Sequence, residues 1–373
     1  MNIRESTVAV MNYRKYDHLP VMHFGYWEEL INKWEEEGRF SPEQRKEWGY
    51  GTEYELSKLL GFDIGGCEGI GGYNGGLYPD FEVETVKEFP DGSKHVRMQD
   101  GVVQLIVPGA KTVSAEIEHL LVDRNSWEKH YKWRLEWTYE RLHNAILTPE
   151  SVANINSQTG RAVGLHAGSV IGSIRNILGV EGLSYMQADD PDLLEEIITA
   201  FCDISYRCVS EILKAGIKPD FGHYWEDICF NHGPLVSPDF FRRVALPHYK
   251  RMTDLLYSHG VQWVSVDCDG KIDELIPIWL EGGVNTMFPI EIGTWNADFS
   301  KWRKMYGTNL LGIGGMNKLA LSKDREAVDA EIERLKPWID LGGFIPCPDH
   351  RLPPETKWDL VKYYTDKFRK TFA

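Results

Sequence analysis

The sequence predicts an α/β fold, a (β/α)8 barrel with an N-terminal helical extension and an antiparallel β insertion. From about residue 161, strand-like segments alternate with helical ones at least six times, as they do in a parallel sheet. The chain has 373 residues, of which 42% are hydrophobic, so a single barrel with insertions can bury a large core. Room for two further strands remains upstream. We therefore treat residues 1–373 as one domain.

Residues 1–60 are predicted to be the helical extension, because the stretch 26–34 has apolar residues at helical spacing. A glycine-rich stretch follows at residues 61–79. Its glycines lack the strand–GxGxxG–helix arrangement of a dinucleotide-binding unit, so we interpret the stretch as a loop. It is either an ordinary surface loop or a loop that lies over an active site and supplies backbone donors.

Residues 81–109 are predicted to form a β-meander inserted in the barrel. Residues 81–86 alternate in character, and residues 102–107 form a second β-rich run. Between these runs, Asp91-Gly92 and Asp100-Gly101 are typical of tight turns.

The barrel itself is predicted from the alternation that follows. The predicted strands are Ala162–Leu165, Phe221–Trp225, Trp263–Val266, Thr286–Ile290, Leu310–Ile313 and Phe344–Pro346. The predicted helices between them include Asp192–Leu213, Pro238–Ser258, Ile272–Leu280, Ala297–Tyr306 and Arg325–Leu341, and a last helix begins near Pro354.

Charge and composition narrow the class of protein. The 41 Lys and Arg residues against 56 Asp and Glu residues give a net charge of −15, which makes nucleic acid and anionic membrane surfaces unfavourable partners. The N-terminus has no apolar signal region, and no stretch is long and apolar enough to span a membrane. Six cysteines in a chain of this length, with no CxxC pair, predict a reduced, cytoplasmic protein.

A barrel carries its chemistry at the C-terminal ends of its strands, and reactive side chains follow five of the predicted strands. These side chains belong to Glu226, Asp227, Asp267, Cys268, Asp269, Glu291, Asn317, Cys347 and His350. We expect Glu226, Asp227 and His350 to be catalytic, because carboxyl and imidazole groups can donate a proton to a leaving group.

Two thiols and a carboxylate at neighbouring strand ends predict a zinc site made of Cys268, Glu291 and Cys347. The alternative is that both thiols are small buried hydrophobic groups. In a continuing strand, Asp267 and Asp269 share one face and Cys268 lies on the other, so the pocket receives either the aspartates or the cysteine. A turn beginning at Asp267 would remove this conflict, and Gly270 favours such an early turn without deciding between the two arrangements.

The other four cysteines are predicted to be structural. Cys202 and Cys208 lie within a predicted helix and are expected to pack in the core, whereas Cys67 and Cys229 have no evident partner in the sequence.

The chain resembles the uroporphyrinogen decarboxylase superfamily over about residues 160–370. The motifs that carry this resemblance are Trp225-Glu226-Asp227-Ile228, Gly233 to Pro238, Asp267-Cys268-Asp269-Gly270, Pro289-Ile290-Glu291 and Gly342 to His350. The resemblance implies a (β/α)8 barrel and one of two activities. Decarboxylases of this superfamily carry an Arg-rich N-terminal segment for the carboxylates of their substrate, and the corresponding residues 21–26 contain no Arg.

The resemblance therefore favours the second branch, the corrinoid-dependent methyltransferases, which use zinc and pass a methyl group to a cobamide carried by a partner protein. Similar cobalamin-independent methionine synthases hold zinc with an HxC motif, a later Glu and a distant Cys. Glu291 and Cys347 match that order, but Cys268 matches only if the alignment shifts by one residue. Aligned on Gly270 instead, Asp267 replaces the His and Asp269 replaces the Cys, so the sequence lacks HxC. The fourth ligand is then Asp267, Asp269, His350 or the substrate.

The leading hypothesis is methyl transfer from a small methylated substrate to a corrinoid protein. The 13 Trp, 17 Tyr and 15 Phe residues allow an aromatic pocket, so an aryl methyl ether is the expected donor. The expected substrate-binding residues are His223, Tyr224, Asp267, Asp269 and Asn317. The alternatives are a decarboxylase, with His166, His223, Arg175 and Arg351 as its cationic groups, and a non-catalytic binding barrel. Homodimer formation stays open.

Overall fold

The computed structural model describes residues 1–65, 69–70, 72–109, 114–145 and 147–372, with the backbone alone described at 69, 70 and 144. Its helices are α1 Ile3–Met11, α2 Glu28–Glu36, α3 Pro42–Trp48, α4 Thr52–Leu60, α5 Arg124–Ser126, α6 Pro149–Ser157, α7 Gly172–Asp189, α8 Pro191–Lys214, α9 Pro238–Val244, α10 Leu246–Ser258, α11 Ile276–Glu281, α12 Phe299–Tyr306, α13 Arg325–Asp340 and α14 Trp358–Thr371. Its strands are β1 Met22–His23, β2 Ile64–Gly65, β3 Gly69–Ile70, β4 Glu84–Glu88, β5 Lys94–Arg97, β6 Val103–Ile106, β7 Ala115–Glu118, β8 Gly164–Gly168, β9 Phe221–Trp225, β10 Cys229–Phe230, β11 Gly233–Pro234, β12 Trp263–Asp267, β13 Thr286–Ile290, β14 Leu311–Met316 and β15 Phe344–Pro348.

A parallel barrel is the body of the protein, as the sequence predicts. Its strands are hydrogen-bonded in the order β15-β14-β13-β12-β9-β8-β3. Strand β1 pairs in parallel with β2, and a bridge between Tyr26 and Leu352 joins the chain after β1 to the chain after β15. The strand order therefore follows the chain order around the barrel, and helices cover its outside.

The six predicted barrel strands are all present, and each differs from its prediction by a few residues at most. The helix predicted over Pro238–Ser258 is instead two helices, α9 and α10, which meet at Ala245. Pro247 lies at the start of α10, where a residue without an N–H cannot continue the hydrogen-bonding ladder of the preceding helix.

The interpretation of residues 61–79 as a loop is correct for part of the described segment and wrong for the rest. Strands β2 and β3 lie within it and supply the second position of the barrel. Each of these strands is only two residues long, so no alternating pattern could reveal it in the sequence. Cys67 and its neighbours Gly66, Glu68 and Gly71 lie outside the described residues.

The predicted insertion is a four-stranded antiparallel sheet, β4-β5-β6-β7, which continues beyond residue 109 to Glu118. Both predicted turns are present, and Gly92 (φ 83°) and Gly101 (φ 89°) take the left-handed conformation that glycine permits. The helical extension is also confirmed: α1 to α4 precede the insertion, with β1 between the first two. Among the described residues, no helix combines the length and apolar character that crossing a membrane requires.

Strand alternation divides the barrel residues into an inner and an outer set. On β9 and β12, Tyr224 faces Tyr249 of α10, whereas His223 bonds Ser265 on the neighbouring strand. His166, His223 and Ser265 are in register on three adjacent strands and form one layer inside the barrel. Asp267, two residues further along β12, lies one layer closer to the mouth.

His23 on β1 is a buried neutral imidazole. Its Nε2 atom lies 2.8 Å from Ser57 Oγ, and the rings of Tyr26 and Phe62 pack against it. Burial, followed by the charge of Arg351, lowers its pKa from 6.5 to about 4.

We expect this histidine to make the fold acid-sensitive. Between pH 6.5 and about 4 the unfolded chain binds a proton at His23 that the folded chain does not. The free energy of unfolding should therefore fall with decreasing pH, with up to about 1.4 kcal/mol per pH unit due to this group. Urea unfolding of His23→Asn should show a shallower slope over this window than the wild type, whereas exposed His232→Asn should not. Equal slopes in all three proteins would contradict the assignment.

Candidate functional site

Three aspartates converge at the mouth of the barrel. Asp227 follows β9, Asp267 ends β12, and Asp269 follows two residues later. One carboxylate oxygen from each lies within 4.8 Å of the others, and within the described chain this is the one group of three or more His, Cys, Asp or Glu side chains close enough to share a metal ion. We refer to Asp227, Asp267 and Asp269 as the aspartate cluster.

The local backbone holds the cluster together. Asp227 has φ 47°, a strained conformation for a residue with a side chain, and its Oδ1 accepts the backbone N–H of Asp269 at 3.1 Å. Gly270 turns the chain with φ 86°, where a Cβ atom would lie 2.5 Å from the carbonyl oxygen of Cys229. The strand continues through Asp267, which pairs with Phe288, so the early turn that would have brought Cys268 to the pocket is not formed, and Asp267 and Asp269 both lie in the cluster.

His350 and Glu291 flank the cluster. His350 Nε2 lies 3.1 Å from Asp269 Oδ2, while Asp269 Oδ1 is buried and has no hydrogen-bond partner in the described structure. Glu291 accepts the backbone N–H of Gly270 at 2.6 Å and the hydroxyl of Thr294 at 2.7 Å. Four carboxyl groups thus lie around one imidazole.

Burial and mutual repulsion raise the pKa values of Asp227 and Asp267 in the cluster and of the neighbouring Glu291. Burial raises the pKa of Asp267 well above its usual range, and the charges of Asp227, Asp269 and Glu291 raise it further. Burial and Asp269 likewise raise the pKa values of Asp227 and Glu291. The site can therefore supply a proton or exchange its protons for a cation.

Aromatic rings line one side of the mouth. The Phe24 ring lies 4.6 Å from the ring of Phe288 and 5.1 Å from that of His350, and Trp27 stacks on His350 at 6.1 Å. Deeper in the barrel, the rings of Phe288 and His223 are 6.2 Å apart. These ring contacts run from His350, beside the cluster, to His223 inside the barrel.

Comparison with known proteins places the chain in a family. The family model described as uroporphyrinogen decarboxylase (URO-D) matches residues 169–371. The chain belongs to the uroporphyrinogen decarboxylase family. This match includes the whole aspartate cluster, Glu291 and His350, and it starts close to the end of β8.

Two solved structures are similar to this URO-D family member. A methyltransferase from Methanosarcina mazei aligns over 100% of both chains with 16% sequence identity and a TM-score of 0.60, which supports the barrel fold. A putative vitamin-B12-independent methionine synthase from Listeria monocytogenes aligns over 61% of this chain and 70% of its own, with 11% identity and a TM-score of 0.35. No curated protein matches the sequence.

The two predicted zinc cysteines are buried and do not share a cluster of ligands in the described structure. Cys268 is 1% exposed, and its Sγ lies near Cys229 and 3.5 Å from the carbonyl oxygen of Asp269. Cys347 is fully buried near Tyr26 and near Tyr364 of α14. Among the described residues, Cys268, Glu291 and Cys347 therefore do not form a group of converging ligands. The physical reason is strand alternation, which turns Cys268 outward between two inward aspartates.

Glu226, predicted to be catalytic, is fully buried outside the barrel lumen. Its carboxylate accepts the backbone N–H groups of Val170, Ile171 and Gly172 at 2.7–2.9 Å, together with the Tyr249 hydroxyl at 2.5 Å. Burial raises its pKa, and these hydrogen bonds oppose the rise. The geometry gives Glu226 the role of anchoring the N-terminus of α7.

Only some of the predicted substrate-binding residues lie on the inner face of the barrel. His223, Asp267 and Asp269 lie on the inner face, whereas Tyr224 is 2% exposed and packs against Tyr249. Asn317 Oδ1 accepts the N–H of Leu319 and caps a short 3-10 turn.

The sequence did not predict Phe24, Trp27 or Phe288 individually as residues of the site. It named His166 only for a decarboxylase, although His166 is the register partner of His223. Pairing of alternate positions on neighbouring strands could have placed His166 and Phe288 on the inner face. Phe24 and Trp27 follow a strand of two residues, which left no such signal.

Proposed function

We propose that this protein transfers a methyl group from a small methylated substrate, an aryl methyl ether, to the Co(I) centre of a corrinoid protein. The observation that carries the proposal is the aspartate cluster beside the aromatic side of an open barrel mouth. Asp227 and Asp267 offer carboxyl groups with raised pKa values where a leaving oxygen needs a proton, and the aromatic rings offer a surface for a planar substrate.

The chemistry follows from the charge that develops at the ether oxygen. The bond between the methyl carbon and the oxygen breaks, the methyl carbon takes the electron pair of Co(I), and the oxygen keeps the pair of the broken bond. A proton from Asp267 or Asp227 neutralises that oxygen and releases a phenol. His350 is hydrogen-bonded to Asp269 and orients the Asp269 carboxylate. It also provides a route by which a proton returns from solvent to the aspartate cluster.

The family resemblance implies zinc, and the residues fit it in one arrangement only. A thiolate site at Cys268 and Cys347 does not fit, because these two side chains and Glu291 do not converge among the described residues. Asp227, Asp267 and Asp269 fit a divalent cation, and the buried, unpartnered Oδ1 of Asp269 is a free ligand atom next to His350. When bound there, zinc would act as a Lewis acid for the leaving oxygen.

Decarboxylation of a polycarboxylate, the activity for which the family is named, is the second candidate. The charges at the mouth disfavour it. Burial keeps His166 and His223 neutral by lowering their pKa values, Arg351 pairs with Glu53 at 2.6 Å, and Arg175 lies over the Trp225 ring. A highly carboxylated substrate would meet the aspartate cluster without a matching set of cations.

The partner that accepts the methyl group needs access to the mouth, so we propose that the corrinoid protein docks over the C-terminal ends of the strands. The remaining predictions, a homodimer and a cytoplasmic location, rest on the sequence alone.

The test is methyl transfer with purified components. With a reduced corrinoid protein and a panel of methylated donors, we expect the Co(I) absorbance to disappear when an aryl methyl ether is added. The matched control is the same arene without its methyl group, which should leave Co(I) unchanged. Failure of every donor, together with turnover of uroporphyrinogen, would reverse the ranking of the two activities.

A further inference from the structure

Two histidines inside the barrel have no part in the chemistry described above. His166 on β8 and His223 on β9 are register partners, and their ring centroids are 6.2 Å apart with the rings nearly perpendicular at 84°. They lie one layer below Asp267, and Phe288 borders His223. A substrate that reaches the aspartate cluster along the aromatic rings would place a second ring substituent near this pair.

Hydrogen bonding fixes the proton of His166. Its Nδ1 accepts the backbone N–H of Gly168 at 3.0 Å. A neutral imidazole that accepts at Nδ1 must carry its proton on Nε2. Burial lowers the pKa of His166, so the ring is neutral and its Nε2 is a hydrogen-bond donor.

The same reasoning gives His223 the opposite tautomer. Its Nδ1 lies 2.8 Å from Ser265 Oγ, and that hydroxyl also lies 3.2 Å from the carbonyl oxygen of Gly222. We assign the single hydroxyl proton of Ser265 to the contact with the Gly222 carbonyl, which can only accept, and with this assignment His223 Nδ1 donates to Ser265. Burial lowers the pKa of His223 to about 3, which leaves Nε2 with a lone pair.

The two rings therefore differ in what their Nε2 atoms offer. One is a donor and the other an acceptor, and within the described part of the chain neither makes a hydrogen bond. A hydroxyl group is the small substituent that can accept from one and donate to the other at the same time. A carboxylate would leave His223 without a donor, and an ether would do the same.

We propose that His166 and His223 recognise a hydroxyl group of the substrate, so that the preferred donor is a methoxyphenol rather than a fully methylated arene. This inference rests on the proposed function for the identity of the substrate, but the recognition itself is a binding property. Two hydrogen bonds of about 2.9 Å meet at one oxygen when the two Nε2 atoms lie within about 5.8 Å of each other, and a centroid separation of 6.2 Å permits this.

Ligand binding tests the inference without any methyl transfer. Isothermal titration should show that wild-type protein binds guaiacol, a methoxyphenol, at least about tenfold more tightly than veratrole, its O-methylated counterpart. His166→Asn and His223→Gln should each reduce this ratio toward one, and His259→Gln on the surface of α10 should keep it. Equal affinity of the wild-type protein for the two ligands would overturn the proposal.

Nitrogen NMR of histidine-labelled wild-type protein gives a readout that does not depend on folding of a variant. We expect a protonated Nε2 on His166 and a protonated Nδ1 on His223, and guaiacol should shift both Nε2 signals while veratrole should not. Identical tautomers, or unchanged Nε2 signals, would refute the recognition. The Co(I) assay separates the two proposals: transfer without a hydroxyl preference rejects the recognition alone, whereas selective guaiacol binding without transfer rejects the proposed function alone.

Discussion

Replacing Asp267 by Asn should abolish methyl transfer while leaving the barrel folded. Asparagine has the same shape but cannot give up a proton to the leaving oxygen or offer a carboxylate to a cation. We expect the rate with an aryl methyl ether to fall by at least about a thousandfold, in the range found when a general acid or a charge-stabilising group is lost. The metal content after incubation with zinc should also fall. Both are measured directly, by the Co(I) assay and by elemental analysis.

The matched control is Asp366→Asn, which changes an exposed carboxylate on α14 and should behave as the wild type. A second variant distinguishes the two zinc arrangements. Because Cys268 faces Cys229 rather than the mouth, Cys268→Ser should keep its zinc. Loss of zinc in Cys268→Ser with normal zinc in Asp267→Asn would restore the thiolate site and contradict the aspartate one.

The architecture was predictable from the sequence because the buried parallel strands are long enough to show a pattern. Strands β9 and β13 have the predicted bounds, and every other predicted barrel strand is present. The sequence pattern did not reveal strands that are defined only by their hydrogen bonds to partner strands. Strands β2 and β3 have two residues each, and only their partners β1 and β8 make them part of the barrel.

The site was predictable to the level of strand ends and no further. The sequence showed that Asp267 and Asp269 share a face opposite Cys268, which is the arrangement of the structure, but the presence of two thiols and a carboxylate at strand ends favoured the cysteine as a zinc ligand. The direction of a side chain after the last ladder pair depends on the turn, and Gly270 with φ 86° sets it here. Residue types at strand ends could not separate Asp227, which faces the mouth, from its neighbour Glu226, which does not.

Glu226 is the residue for which the sequence and the structure make the most different predictions. If it were a catalytic acid, Glu226→Ala would remove activity from a stable protein. In the structure, its carboxylate satisfies three backbone N–H groups that the first turn of α7 cannot satisfy itself, and it also accepts the Tyr249 hydroxyl. Glu226 is 0% exposed, so water has no access to take over these hydrogen bonds when the carboxylate is removed.

We therefore expect Glu226→Ala to lower the free energy of unfolding by about 3–5 kcal/mol, the range for removing one partner of a buried charged network. Urea unfolding measures this change, with Glu47→Ala on the exposed surface of α3 as the control that should stay within about 0.5 kcal/mol of the wild type. Glu226→Gln should lose less stability than Glu226→Ala, because the amide oxygen still accepts hydrogen bonds from the helix N-terminus. A Glu226→Ala protein as stable as the wild type but inactive in the Co(I) assay would show that Glu226 belongs to the chemistry rather than to the anchoring of α7.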